Sequence, residues 1–103
     1  MSDKELIHII NKQINTDFPE SASVEKLKEK LVVFINDLIQ NDFQKLVAIL
    51  YKIDVDEGKL KRILTEEAGK DAADIIARLI IEREMQKIES RKLFRRNLSQ
   101  KYL

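Results

Sequence analysis

Between Asp71 and Asn97 the sequence offers nothing that stops a helix. Asp71 carries the short oxygen side chain that caps a helix start, and Asp74 follows three residues later. On a wheel of about 100° per residue, Ala73, Ile76, Ala77 and Ile80 make one apolar face. Asp74, Arg78 and Glu82 make a ladder of alternating sign on the opposite side, which reads as a solvated surface. An unbroken helix from Ala72 to Leu98 is about 40 Å long at 1.5 Å rise per residue. A compact domain of roughly 100 residues has a radius of gyration of only about 13 Å. The last turns of such a helix must overhang the body or pack on another chain.

The rest of the composition agrees with a helical reading. Two glycines and one proline in 103 residues leave few obligatory turns, which argues against an all-β fold. Apolar residues at 44% with charged residues at 36% and a net charge of +1 do not fit a disordered chain. The length suits one domain, with a core large enough to stand without staples. There is no cysteine, so disulfides, thiolate chemistry and cysteine-held metals are closed to this chain, and a single histidine leaves no multi-histidine site within it. The opening MSDKELIHII lacks the basic-then-apolar order of a signal peptide, and the longest apolar run, Leu46 to Tyr51, is too short to span a bilayer. A cytoplasmic location with no membrane partner is the expectation.

Four helices are expected before the long one. Ser2 with Glu5 has capping-box spacing, so a first helix starts at Asp3, with Leu6, Ile7, Ile10 and Ile14 on its apolar stripe. Pro19 ends that region and pushes Phe18 out of the helical conformation. Ser23 caps a second helix from Val24 to about Gln40. Its stripe of Leu27, Leu31, Phe34 and Leu38, widened by Val32, Ile35 and Ile39, marks it as central to the core. Asn41 with Gln44 opens a third helix that buries Phe43, Leu46, Val47 and Leu50. Asp54 with Glu57 opens a fourth at Val55 that buries Leu60, Ile63 and Leu64 and stops at Gly69. Leu31, Leu38, Leu46, Leu50, Ile76 and Ile80 should be buried together.

The stretch LYKIDVDEGKLKRIL, residues 50–64, is the most patterned. A helix-turn-helix needs apolar residues at the end of its first helix, in the turn and twice on the second helix. Ile53, Val55, Leu60 and Ile63 have those offsets, Asp56 can cap the second helix, and Lys59, Lys61 and Arg62 would reach nucleic acid. In these offsets the segment, residues 46–64, resembles helix-turn-helix repressors, and the resemblance implies nucleic-acid binding. It departs from them at Asp54, where they carry a turn glycine, and at Leu50, where they carry a small residue. Gly58 also weakens the second helix by about 1 kcal/mol relative to alanine. The preferred reading is a structural corner capped by Asp54. Leu50 to Lys52, LYK, is similar to the motif of LYR-type mitochondrial assembly proteins, but that motif lies near a chain start and this one mid-chain. Residues 41–94 as a whole resemble small uncharacterised all-helical bacterial proteins, which implies an all-α fold and a bacterial origin and brings no activity.

Other candidates dissolve on spacing. DVDEG has the look of a calcium loop, but counted from Asp54 the glycine falls at position 5 and Thr65 at position 12. Glu66 and Glu67 are adjacent on a helix and diverge by about 100°. His8 has no nucleophile near it in sequence and reads as a surface or half-buried structural residue. No enzyme, cofactor, metal or small-molecule substrate is expected.

The charge distribution points to the chain's end. From Lys87 onward there are six basic residues and one acidic, a local charge of +5, which leaves −4 for residues 1–86. Arg83, Lys87, Arg91 and Arg95 form one row at intervals of four, and Met85, Ile88, Phe94 and Leu98 keep it company. Like charges at that interval repel, so the row gains nothing as an isolated helix. The expectation is one all-α domain over residues 1–103, a bundle of four to five helices with a long C-terminal helix, in which 91–103 is a basic extension. Its function is expected to be non-catalytic, as an interaction or scaffolding module. Arg83, Met85, Lys87, Ile88, Arg91, Phe94, Arg95 and Leu98 would meet a second copy or another protein. The alternative is a nucleic-acid-binding regulator that uses residues 46–64 and the basic end.

Overall fold

The computed structural model describes the backbone of residues 3–66 and 71–102, and side chains there apart from Ile63, Leu64 and residues 95–102. Five helices follow one another: α1 Asp3–Ile14, α2 Val24–Asn41, α3 Phe43–Ile53, α4 Glu57–Glu66 and α5 Ala72–Tyr102. There are no strands among the described residues. The all-α bundle with a long last helix is thus as the sequence implies. Ser2, Gly69, Ile63 and Leu64, to which the sequence assigns a cap, a stop and two buried positions, lie outside the described residues or side chains.

Local chemistry sets most boundaries. The Ser23 hydroxyl accepts from the Lys26 amide at 3.2 Å, and Asp71 Oδ1 accepts from the Ala73 amide at 3.0 Å, so α2 and α5 begin where their caps place them. Asn15 closes α1 in the left-handed conformation, φ 58°. Asn11 then ties down the loop that follows: its Oδ1 accepts from the Phe18 amide and its Nδ2 donates to the Phe18 carbonyl, both at 2.9 Å. That fixes Phe18 edge-on against Phe34, with ring centroids 6.4 Å apart.

Two junctions differ from expectation. Asp42, not Asn41, caps α3, its Oδ1 accepting from the Lys45 amide at 3.2 Å. The Asp42 amide still donates to Leu38, so this residue both ends α2 and starts α3. Asn41 bonds Asp37 instead. At the next corner Asp54 caps nothing that follows. It closes α3 in the left-handed conformation, φ 64° and ψ 51°, and Asp56 caps α4 by accepting from the Lys59 amide at 3.1 Å.

The core joins Leu6, Ile7, Ile10 and Ile14 of α1 to Leu27, Leu31, Ile35 and Leu38 of α2, and to Leu46, Ile49 and Ile53 of α3. Of the six residues expected to be buried together, Leu31, Leu38, Leu46, Ile76 and Ile80 are in it and Leu50 packs against it. The face of α3 is a correction. Ile49 and Ile53 are buried with Leu46, while Phe43 and Val47 are 59% and 49% exposed. Apolar residues cover more than half the circumference of this helix, opposite Lys45 and Lys52, so its own periodicity does not choose which part of that arc is buried; packing does.

The centre of the bundle is α5, which rests on each of the other four helices. Besides Ala73, Ile76, Ala77 and Ile80, it buries Ile75, Leu79 and Ile81. The ladder read as solvated is tied across to neighbours, with Asp74 3.1 Å from Lys28 of α2 and Glu82 3.5 Å from Lys59 of α4. The last buried side chain on it among the described residues is Ile88. From Glu89 to Phe94 every side chain is exposed while the helix continues to Tyr102. The radius of gyration, 15.2 Å, and the longest extent, 52 Å, reflect that overhang.

Candidate protein interface

The corner between α3 and α4 sits over α5, and the three helices enclose an open groove. One wall is the outer stripe of α3. Phe43, Val47 and Tyr51 recur every four residues, so they stand above one another on one face. Tyr51 is 81% exposed. The other wall comes from Val55, Lys59 and Leu60, and the floor from Arg83 and Gln86 of α5. Asp54 links wall and floor: Arg83 Nε donates to its carbonyl at 3.0 Å and Arg83 Nη2 to its carboxylate at 3.3 Å. The left-handed turn is what aims that carbonyl at α5. Asp54, Asp56 and Glu57 stand around the corner at the mouth of the groove, with Lys59 and Lys61 beside them on α4.

The groove holds about 1050 Å³, just above the usual range for small-molecule pockets. Its α3 wall is too exposed to desolvate a small ligand. An apolar helix laid along it would cover Phe43, Val47 and Tyr51 together, the usual way a helix fills a groove.

The basic row divides along its length. Arg83 is held by Asp54 of the same chain. Lys87 meets Glu84 Oε1 at 3.0 Å. Glu84 is fully buried, and its Oε2 has no hydrogen-bond partner among the described residues. Arg91 is exposed and donates from Nε to the Lys87 carbonyl at 3.4 Å. The side chains of Arg95 and Leu98 lie outside the described residues. Ile88 belongs to the core and Met85 is half-buried against it, so neither faces outward. Phe94 does, at 64% exposure, with Leu93 beside it at 58%. Lys92, next to both, reaches Glu5 of α1 at 3.5 Å.

On α4, Lys61 and Arg62 are exposed, whereas Lys59 pairs with Glu82. His8 lies on the surface, 3.5 Å from Glu20. Sequence reasoning missed Leu93, Gln86 and the outer stripe of α3. The stripe had a signal, since Phe43, Val47 and Tyr51 are spaced like a second apolar face, but Leu46, Ile49 and Ile53 compete for the same helix. No helix among the described residues is long and apolar enough to cross a membrane. No known protein family, curated protein or solved structure matches the chain.

Proposed function

We propose that this chain is a non-catalytic, cytoplasmic protein–protein interaction module that associates with itself through the end of α5. One observation carries the reading. α5 continues as a helix beyond Ile88, the last buried residue among its described side chains, and there presents Leu93 and Phe94 to solvent. Helices gain most of their stability from packing an apolar face. An overhang that keeps two large apolar side chains beside Arg91 and Lys92 has the composition of a contact surface. The acidic balance of residues 1–86 supplies the opposite charge on another copy. The test is sedimentation velocity of the intact chain at micromolar concentration beside the double variant Leu93→Glu, Phe94→Glu. The intact chain is expected to run as an oligomer and the variant as a monomer. An intact chain that stays monomeric contradicts the reading.

A second reading has its own support. The left-handed Asp54 and the Asp56 cap give α3 and α4 the short turn of a helix-turn-helix, with Lys61 and Arg62 exposed on the second helix. Against it, Asp56 and Glu57 occupy the start of α4, where a phosphate would otherwise sit. Anisotropy with random duplex DNA at low and moderate salt separates the two, because salt-sensitive binding marks phosphate contacts. Flat curves at both salts are expected.

A further inference from the structure

We propose that the groove between α3, α4 and α5 is the seat for the end of α5 from a second copy, in a reciprocal antiparallel pair. This rests on the self-association proposed above and adds where the second copy sits. Apart from Val33, the large apolar side chains exposed among the described residues fall in two places: Phe43, Val47 and Tyr51 on the groove wall, and Leu93 and Phe94 on the overhang. One is a concave strip and the other a projecting knob.

The two places share one face of α5. On a wheel of about 100° per residue, Arg83, Gln86, Ser90, Leu93 and Phe94 fall within an arc of about 100°. The groove floor and the knob are therefore consecutive along one stripe. They cannot meet within one chain. Leu93 lies seven residues beyond Gln86 on the same helix, about 10 Å further along its axis. A second copy running antiparallel solves this. When its Leu93 and Phe94 stand over Gln86 and Arg83, the two-fold axis falls near residue 90. Ser90 is on that stripe, and its small side chain lets the two helices approach.

Charge favours the same arrangement. Arg91 and Lys92 flank the knob, Lys92 lying 3.5 Å from Glu5 of its own chain, and Asp56 and Glu57 stand at the groove mouth. Of the groove's own cations, Lys59 is held by Glu82 and Arg83 by Asp54, which leaves Asp56 and Glu57 against Lys61 at the mouth. Each copy gives one knob and receives one, so the contact closes on itself and stops at a dimer.

The chain has no cysteine, so any cysteine introduced into it is unique. A disulfide forms only where two Cβ atoms come within about 4 Å or can swing there. Val47→Cys and Leu93→Cys chains, mixed and mildly oxidised, should yield a disulfide dimer several-fold above a mixture of Val33→Cys with Leu93→Cys. Ser90→Cys alone should link to itself. These positions are all on the surface, so the fold is not at stake. If the protein sediments as an oligomer but Val47→Cys links no better than Val33→Cys, the groove is not the seat, and self-association stands. If it sediments as a monomer, both proposals fall.

Discussion

The two halves of α5 obey different physics although the helix is unbroken. From Ala73 to Ile81, seven side chains are buried, and Asp74 among them and Glu82 just after them reach to α2 and α4. Beyond Ile88 every side chain up to Phe94 is exposed, and the tie to the body there is the ion pair of Lys92 with Glu5. In the first half, burial fixes every side chain, and sequence changes act on stability. In the second half, little is fixed by the fold, and changes act on association. Glu84 and Lys87 stand at the border, where a carboxylate is still buried and its partner is already partly in water.

That contrast is broken most easily by cutting into each half. Ile80→Ala should destabilise the chain by about 2–5 kcal/mol, since Ile80 is fully buried. Leu93→Ala, measured by urea unfolding at a concentration too low for association, should stay within about 0.5 kcal/mol. Equal effects would mean that the overhang is packed against the body after all. At the border, Glu84→Met should raise stability by about 1–4 kcal/mol, because it removes a buried carboxylate oxygen that no donor satisfies and keeps the volume. A loss of stability there would show that the carboxylate is held by more than Lys87.

Smaller effects sharpen the account at the corner that grips Arg83. Asp56→Ala should cost about 1 kcal/mol, as the loss of a cap. Asp54→Gly should stabilise by a few tenths to about 1 kcal/mol, since glycine adopts the left-handed conformation without strain. If Asp54 were the cap instead, glycine there would cost stability, so the sign of that one change distinguishes the two corners. Lys92→Ala, which removes an exposed pair with Glu5, should change stability by less than about 0.5 kcal/mol.

These residues also show what a sequence can display. The helix count and the α1 stripe were legible from the apolar periods, and the caps Ser23 and Asp71 because each stands immediately before one. Asn41 stood beside Asp42, and Asp54 two residues before Asp56, and all four have side chains that can cap. Asx residues also tolerate the left-handed turn, so Asp54 looks alike in both roles. The buried face of α3 was hidden by having two apolar stripes where the bundle has room for one. Of the candidate site, the exposure of Phe94 and Arg91 could be foreseen from the persistence of apolar and basic residues past the body. The internal partners of Arg83 and Lys87 could not, because Asp54 is 29 residues away in the chain and the burial of Glu84 depends on the packing of other helices.

The difference between the halves is measured most directly by hydrogen exchange of the intact chain at two concentrations, one below and one above the association range. Amides of a helix end that packs on nothing exchange quickly through local opening. The amides of residues 89–95 should be weakly protected in the dilute sample and clearly slower in the concentrated one, while those of 75–81, which the second copy does not cover, change far less. Identical rates for 89–95 at the two concentrations would contradict the account, because the end of α5 would then have no second copy to dock on.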